Sequence, residues 1–264
     1  MPAMLTSLCS EETRRKLRSP YFKLFNLGRF KDIHPGGEAF LIGNGPSTRP
    51  EILERLGGRL TFCFNRFHLA YDSFSLDFEP TYTVCIDPQI IHDFGREIIQ
   101  HSRGELLLGT WRWLFFAGGK YTCFQIQCTD PFQFSTDITD FVSTGDSVVV
   151  ASIQIGYYMG IRRFYLYGVD HNFRIRKMMS DGLALGEGNH FIPNYRSSRP
   201  WNPPRTRQIE QALVACRRFL LARGGDLINC TDGGRLEVLP RQRIESVLEK
   251  APCPAESRLD LVIR

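Results

Sequence analysis

Residues that could bind a nucleotide follow the first strongly apolar run of the chain. This run, Phe40–Ile42, ends in a turn that contains Gly43, Asn44, Gly45 and Ser47. A helical pattern begins just after it, at Pro50. Glycines let the backbone approach a nucleotide closely, and N–H groups at a helix start can donate to phosphate. Strand–turn–helix junctions of this kind are also frequent without any ligand, so the turn alone leaves both interpretations open.

More polar residues stand at the ends of later apolar runs. Asn65 and Arg66 follow one run, Asp87 follows another, and Ser143, Thr144 and Gly145 precede a helical pattern. Ligands of open α/β sheets bind at the carboxyl ends of the strands. We therefore expect Asn65 to contact a ribose or a carboxylate, and the Ser143–Gly145 turn to bind an anion. Helix capping would explain the hydroxyl groups of that turn equally well.

A long polar segment carries the residues that could move a proton. Gly168, Asp170, His171 and Asn172 follow a further apolar run, and His190 lies deeper in the segment. Residues 171–204, here called the lid segment, lack clear periodicity, which is typical of a functional lid. A histidine in a mobile lid can have a pKa near neutrality and reach a substrate hydroxyl on closure. We predict His190 as a general base, with Asp170 and His171 as further catalytic candidates; either histidine could instead bind phosphate or stabilise the closed loop.

The elements that must position these residues alternate along the chain. Short apolar runs predict strands, and longer amphipathic stretches between them predict helices. The pattern indicates an α/β protein with a Rossmann-like, mostly parallel sheet. The predicted strands are Ala39–Gly43, Leu60–Phe64, Thr81–Ile86, Glu105–Gly109, Tyr121–Gln127, Arg163–Gly168 and Asp226–Asn229, and the clearest helices are Pro88–His101, Asp146–Met159 and Thr206–Arg223.

Bulk composition excludes several classes of protein. The chain has 264 residues, of which 42% are hydrophobic and 23% charged, as in globular proteins. Apolar runs are shorter than the ~18 residues of a membrane span, and we see no secretory signal, so we expect a cytoplasmic protein. The 8 cysteines include no C-x-x-C pair and are expected to be reduced. A net charge of +5 without a dense basic face argues against nucleic-acid binding.

We predict a division of the chain into three parts. Residues 1–37 form a basic N-terminal arm, residues 38–240 form an α/β domain that includes the lid segment, and residues 241–264 form a C-terminal tail. The arm mixes bases with aromatic residues, for example Arg14–Arg18 followed by Tyr21–Phe25. This mixture fits either peripheral contact with an anionic membrane surface or an ordinary packing arm.

Taken together, these motifs resemble those of the bacterial sialyltransferases with a GT-A-like fold. The resemblance is closer to a related uncharacterised group described as motility-associated or 6-hydroxymethylpterin diphosphokinase-like glycosyltransferases. It is distributed over about residues 38–232 and rests on the order and spacing of short motifs. The motifs are Gly43–Ser47, Phe64–Phe67, Ser143–Gly145, Gly168–Asp170 and Asn189–His190, with His171–Asn172, Pro193–Tyr195 and Gly233–Val238 added in the uncharacterised group.

The resemblance implies a role for each matched position. Asn44 and Asn65 would bind the CMP part of a CMP-activated sugar, the Ser143–Gly145 turn would hold the donor phosphate or sugar carboxylate, and His190 would deprotonate a glycan or lipid-linked glycan acceptor. No cofactor is implied. Sialyltransferases have an amide at the position of Asp87 and a tyrosine at that of Asn172. These departures bear on the identity of the donor sugar, which could be sialic acid, Kdo or a related acid, and on the leaving-group contacts.

The lack of one acidic motif in the sequence indicates whether the protein binds a metal ion. The chain contains no Asp-x-Asp pair, which metal-dependent GT-A enzymes use to hold a divalent ion on a nucleoside diphosphate. A monophosphate leaving group develops less charge, so hydroxyls, amides and helix N–H groups can suffice. We therefore expect no metal site. Two alternatives stay open: a pterin-type pyrophosphokinase that uses ATP and Mg²⁺, with Asp87 and Asp170 as the nearest carboxylates, and a non-catalytic nucleotide-binding module.

Overall fold

A parallel sheet of 8 strands forms the centre of the protein in the computed structural model, which describes residues 24–110 and 120–249. Every adjacent pair of strands in this sheet runs parallel. The Rossmann-like α/β fold expected from the sequence is confirmed. The strands are β1 (Glu38–Ile42), β2 (Thr61–Phe64), β3 (Tyr82–Cys85), β4 (Glu105–Thr110), β5 (Thr122–Gln127), β6 (Val142–Ser143), β7 (Arg163–Tyr167) and β10 (Asp226–Asn229).

Helices cover both faces of the sheet. The helices are α1 (Pro50–Arg55), α2 (Leu69–Ser73), α3 (Pro88–His101), α4 (Val148–Tyr158), α5 (Thr206–Leu221) and α6 (Ile244–Leu248), and a 3₁₀ helix spans Leu27–Phe30. Helices α1, α2, α3 and α6 pack on one face, whereas α4, α5 and the 3₁₀ helix pack on the other. Side chains of β1 alternate accordingly: Ala39 and Leu41 face the second group of helices, and Phe40 and Ile42 face the first. The strands are therefore buried on both faces, which explains their continuous apolar runs.

The order of the strands creates a crevice at one point of the sheet. The order is β10-β7-β1-β2-β3-β4-β5-β6, so β1 lies between β2 and β7. After β1 the chain continues into α1 on one face, and after β7 it passes through the lid segment into α5 on the opposite face. Two neighbouring strands whose connections leave to opposite faces form a topological switch point, where open α/β sheets bind their ligands. The switch point here is the carboxyl end of β1 and β7.

The predicted elements agree with the structure to within two residues at each end. Helix α3 matches its predicted bounds, because Pro88 occupies the first turn and the Asp87 carboxylate accepts from the N–H groups of Gln89 and Ile90. Helix α4 is buried almost all round, which its uniformly apolar sequence requires. The short helix α2 was not predicted, because five residues give too little periodicity to recognise.

The lid segment packs onto the domain. It contains a two-stranded antiparallel hairpin, β8 (Lys177–Met178) and β9 (Ala184–Leu185), which the sequence analysis did not predict. Ile192 and Tyr195 of this segment are buried in the core. Residues 241–249, the start of the predicted C-terminal tail, also pack on the domain, because Ile244 and Val247 of α6 are buried.

The basic clusters of the N-terminal arm at Arg14–Arg18 and most of Tyr21–Phe25 lie outside the described residues. In the described part of the arm, Leu27 and Phe30 are buried in the core. Within residues 24–110 and 120–249, every helix is too short or too polar to cross a lipid bilayer. The described cysteines are all free thiols, and most of them are buried.

Candidate functional site

A cleft of about 170 Å³ lies at the switch point between β1 and β7. Its walls come from the turn after β1, the end of β2, the start of α4, the turn after β7, the lid segment and α5. The predicted site residues in its lining are Gly43, Asn44, Gly45, Asn65, Gly168, Asp170, His171, Asn172 and His190. Residues from four separate parts of the sequence are thus brought together by the strand order.

The turns after β1 and β7 interlock at the base of the cleft. The backbone N–H of Gly43 donates to the Tyr167 carbonyl at 2.7 Å, and that of Gly45 donates to the Gly168 carbonyl at 2.9 Å. A Cβ atom at Gly43 would lie 2.3 Å from the Gly168 carbonyl oxygen, and one at Gly45 would lie 1.9 Å from an Asp170 carboxylate oxygen. Both glycines are therefore required by the close approach of the two turns, whether or not a nucleotide binds there.

Asp170 links the turn after β7 to the turn after β1 through hydrogen bonds. Its Oδ2 accepts from the Ser47 hydroxyl at 2.8 Å and from the Ser47 backbone N–H at 3.3 Å. Its own carbonyl oxygen accepts from the Arg235 backbone N–H at 2.7 Å. Ser47 does not line the cleft and reaches it only through Asp170. The carboxylate lines the cleft but is already engaged with the opposite turn.

Two amide side chains of the cleft lining have buried oxygens without a hydrogen-bond partner among the described residues. Asn44 donates from Nδ2 to the Phe64 carbonyl at 2.9 Å and to the Tyr195 hydroxyl at 3.1 Å. The Oδ1 atoms of Asn44 and Asn65 are buried and have no hydrogen-bond partner among the described residues. A buried unpaired amide oxygen costs free energy, ~1–3 kcal/mol, that a ligand donor would recover. Both amides can therefore accept from amino or hydroxyl groups of a ligand.

His190 lines the cleft as a neutral imidazole. Its ring stacks on Tyr195 with 3.7 Å between centroids and 14° between planes. Burial, and secondly the positive charges of Arg196 and Arg66, lower the pKa of His190 from 6.5 to about 4. A histidine in a mobile lid was expected to have a pKa near neutrality; the pKa of His190 is lower because the lid segment is folded onto the domain. Within the described part of the chain the ring nitrogens have no hydrogen-bond partner, so the unprotonated nitrogen of the neutral ring is free to accept a substrate proton.

Two further polar residues of the lid segment, His171 and Asn189, are held by neighbouring residues. The Nε2 atom of His171 lies 3.1 Å from Oε1 of Glu210 on α5, and the His171 ring is nearly buried. Asn189 makes two hydrogen bonds to the backbone of Arg174, which closes the loop before His190. Asn172 lines the cleft. His171 is thus anchored on α5, whereas His190 is held only by stacking.

The predicted anion site at Ser143–Gly145 lies away from the cleft lining. Ser143 is fully buried, its hydroxyl bonds to the Gln133 carbonyl, and its backbone N–H and carbonyl groups both bond to the Gln154 side chain. A Cβ atom at Gly145 would clash with Val150 and Ala212. The backbone of this turn serves internal packing. The start of α4 faces the cleft instead, through Ser147, Val148 and Val149, where Ser147 is the N-cap.

Arg66 and Asp87 also lie outside the cleft lining. The guanidinium group of Arg66 is buried, pairs with Glu97 at 2.8 Å and donates to the Tyr195 carbonyl. Asp87 caps α3, as described above; burial lowers the pKa of Arg196, and the negative charge of Asp87 partly opposes that decrease. Their assignment to donor binding stays a prediction, and in this structure both residues support the lid segment.

Tyr195 also lines the cleft, although it does not follow a strand and was not predicted as a site residue. Its hydroxyl accepts from Asn44 and from the Arg66 backbone N–H, and its ring supports His190. The only signal in the sequence is an aromatic residue in the Pro193–Tyr195 motif. Among the described residues, no three histidine, cysteine or acidic side chains lie close enough together to hold a metal ion.

Known proteins offer distant likenesses only. No family profile matches the chain, and no curated protein sequence is significantly similar to it. Among solved structures, the α-2,3-sialyltransferase Cst-I of Campylobacter jejuni is similar in fold. The match covers 86% of this chain and 88% of the Cst-I chain, at 14% sequence identity and a TM-score of 0.46. The sialyltransferase CstII of the same organism, solved with cytidine-5′-monophosphate, also matches. This match covers 80% of this chain and 86% of the CstII chain, at 12% sequence identity and a TM-score of 0.42.

Proposed function

We propose that the chain is an inverting glycosyltransferase that transfers a sugar from a CMP-activated donor to a bacterial glycan or glycoconjugate, without cofactor or divalent metal. Sialic acid, Kdo or a related acid is the donor sugar. The observation that carries this proposal is the convergence of a neutral His190 and the unpaired amide oxygens of Asn44 and Asn65 in one cleft at the switch point. The order of the motifs along the sequence supports the same reaction class.

The amides of Asn44 and Asn65 recognise the nucleotide. Their Oδ1 atoms accept hydrogen bonds from the cytosine amino group or the ribose hydroxyls, which removes the penalty of leaving them unpaired. The present cleft of about 170 Å³ is smaller than the ~300–1,000 Å³ usual for ligand sites. The lid segment closes it, since the Phe191 N–H donates to the Asn44 carbonyl at 2.9 Å. Donor binding therefore requires this segment to open.

His190 accepts the proton of the acceptor hydroxyl. The hydroxyl oxygen forms a bond to the anomeric carbon as the bond from that carbon to the phosphate oxygen breaks, and CMP leaves with the electron pair. Direct displacement inverts the anomeric configuration. The anionic donor lies beside His190 and raises its pKa from about 4 towards a value at which it accepts a proton effectively.

The phosphate of the donor is held without a metal ion. The start of α4 at Ser147–Val149 faces the cleft, and the first N–H groups of a helix stabilise anions through their dipoles and hydrogen bonds. A monophosphate leaving group places less demand on a cation than a diphosphate. We place the protein in the cytoplasm, with the basic residues Arg14–Arg18 of the N-terminal arm as a peripheral contact to the inner face of the membrane.

Nucleotide preference tests this proposal against its rivals. Thermal unfolding is measured with CMP, with CDP, and with ATP in the presence and absence of Mg²⁺. A ligand at 100 times its Kd stabilises a protein by ~2.7 kcal/mol. The proposal expects stabilisation by CMP that EDTA does not remove. Magnesium-dependent stabilisation by ATP, with no effect of CMP, would favour the pyrophosphokinase instead, and CMP binding without any turnover of CMP-sugars would favour a non-catalytic module.

A further inference from the structure

A groove of about 330 Å³ opens from one side of the cleft. The cleft and the groove share His171, Asn172 and Phe173 as lining residues, so the two spaces lie next to each other. The outer part of the groove is lined by Ile175, Pro203, Pro204, Thr206, Glu210 and Arg235. The proposed function assigns nothing to this groove.

The groove exposes apolar surface that the fold does not cover. Phe173 is 41% exposed and Ile175 is 44% exposed, although both side chains are large. The ring of Phe173 is supported from behind by His171, with centroids 5.7 Å apart, and by Trp201, with centroids 6.5 Å apart. An exposed aromatic ring held in place beside two prolines is a platform on which the C–H face of a sugar ring can pack.

Among the charged residues that line the groove, the acidic one is paired, whereas the basic one is unpaired within the described part of the chain. Glu210 is paired with His171, as described above. Arg235 is fixed by its backbone bond to Asp170, whereas its guanidinium group has no partner among the described residues. Arg174, Arg176 and Lys177 follow on the adjoining exposed strip, which contains no acidic residue from position 171 to 180. A free guanidinium in this setting pairs with a carboxylate or a phosphate.

We propose that this groove binds the acceptor, and that the acceptor is a glycan carrying an anionic group. The inference rests on the proposed function. Phe173, Pro203 and Pro204 contact the sugar rings, and Arg235 pairs with a carboxylate or phosphate on a neighbouring unit. The reacting hydroxyl then extends past His171 into the cleft, which His190 lines. The groove therefore selects acidic over neutral acceptors.

Ligand-observed NMR on the full chain with saturating CMP tests the groove. The probes are methyl glucoside, glucuronic acid and glucose 6-phosphate, with inorganic phosphate as competitor. We expect at least one anionic sugar to bind about tenfold more tightly than methyl glucoside, as one charged hydrogen bond supplies. The anionic sugar that shows this preference identifies the carboxylate or the phosphate as the group recognised.

Two variants test separately the recognition of the anionic group and the packing of the sugar ring. Arg235→Gln should abolish the preference for the anionic sugar, and Phe173→Ala should weaken all sugars several-fold. Arg55→Gln and Leu221→Ala, exposed positions outside the groove, are the matched controls and should change neither. Equal binding of the neutral and anionic sugars would overturn the inference. So would displacement by inorganic phosphate combined with no effect of Phe173→Ala, which would indicate an anion site without a sugar platform.

A separate measurement distinguishes failure of the groove from failure of the proposed function. CMP binding, measured by calorimetry, and CMP release from CMP-sugars with water as the nucleophile in place of an acceptor both depend on the donor site and not on the groove. If CMP is released but the sugars bind without dependence on Arg235 or Phe173, the groove is wrongly assigned and the proposed function stands. If CMP does not bind and no CMP-sugar is turned over with water or with a glycan acceptor, the proposed function fails and the groove has no acceptor to bind.

Discussion

His190 combines two properties that have opposite effects on base catalysis. Its low pKa keeps the imidazole neutral at pH 7, which a base requires, but also makes it a weak acceptor of protons. The positive charges of Arg196 and Arg66 contribute to this low value. A bound phosphate and sugar carboxylate would offset those charges. Donor binding should therefore bring the pKa of His190 closer to the working pH.

The difference between the pKa of His190 in the free protein and in the donor complex predicts the pH dependence of the reaction. Activity is full where His190 is neutral and falls as the pH drops through its pKa. We expect the acidic limb of kcat/KM, which reports the free enzyme, near pH 4, and that of kcat, which reports the donor complex, at a higher pH. NMR titration of His190 with and without CMP provides the direct check. A pKa of 6.5 or above in the free protein, or no rise on adding CMP, would contradict this expectation.

The amide of Asn65 offers a second test at single-residue scale. Removing it should weaken CMP binding by ~1–3 kcal/mol in calorimetry, because a buried hydrogen bond is lost. Asn65 has a φ of 54°, so Asn65→Ala also strains the backbone, whereas Asn65→Gly removes the amide without that strain. Both variants should lose affinity, and Gln208→Ala, an exposed amide on α5, should not. Unchanged affinity in both Asn65 variants would exclude this contact.

The sequence predicts a cleft residue correctly where its position after a strand alone brings it to the cleft. Asn44, Asn65 and Asp170 line the cleft because each follows a parallel strand, and that much can be read from apolar runs. Arg66 and Asp87 also follow strands, yet they lie elsewhere, because their side chains are engaged by α3 and by the lid segment. The partners of Arg66 include Tyr195, which is 129 positions away in the sequence. Such contacts depend on the tertiary fold.

At the scale of elements, the lid segment is fastened to the domain by Tyr195. Its hydroxyl joins the turn after β1, through Asn44, to the end of β2, through the backbone of Arg66. Further along, Arg199 pairs with Asp93 on α3 at 3.1 Å. Because the Tyr195 ring also stacks on His190, this attachment fixes the proposed base relative to the amide of Asn44. We therefore predict that Tyr195 is a positioning residue.

Tyr195→Phe tests the attachment while keeping the stacking on His190. Loss of the hydroxyl leaves Asn44 and the Arg66 N–H each with one partner fewer, and we expect a decrease of ~1–3 kcal/mol in the free energy of unfolding. Hydrogen exchange should become faster in residues 190–199 but not in β4. Tyr121→Phe serves as a control outside the lid segment. Unchanged exchange in residues 190–199 would show that the hydroxyl does not hold the segment.

Long periodic elements were predictable, and short ones were not. The buried strands and helices α3, α4 and α5 follow from runs of apolar residues and their spacing. The hairpin β8–β9 has two residues in each strand, and β6 also has two, which is too short for a period to be seen. The folding of the lid segment onto the cleft, and with it the low pKa of His190, depends on contacts that periodicity does not encode.

At the scale of the whole molecule, the order of the strands makes the site. Alternation of strands and helices predicts a parallel sheet, but it does not predict that β7 returns to lie beside β1. That return brings the turn at Gly168 against the turn at Gly43 and places residues from distant parts of the chain around one cleft. The location of the site therefore follows from topology, and its chemistry follows from the residues at the strand ends.

Metal independence is a prediction about the whole reaction. The proposed leaving group is a monophosphate and the start of α4 faces the cleft, so we expect EDTA to leave turnover of a CMP-sugar largely intact. Initial rates of CMP release before and after chelation provide the measurement, with added Mg²⁺ or Mn²⁺ as the reciprocal experiment. Abolition of turnover by EDTA and its recovery with either ion would contradict the expectation and strengthen the pyrophosphokinase alternative.

The most direct test of the central claim is the turnover number of His190→Ala with a CMP-sugar donor. Donors with sialic acid and Kdo are supplied at saturation, CMP release is measured with the acceptor, and CMP affinity is measured on the same samples. His92→Ala, at an exposed histidine of α3, is the matched control, and His171→Ala should be milder than His190→Ala. We predict that kcat falls by ~10²–10⁴ while CMP affinity is unchanged, and that the product has an inverted anomeric configuration. Near-normal kcat in His190→Ala, or a product with retained configuration, would contradict the account.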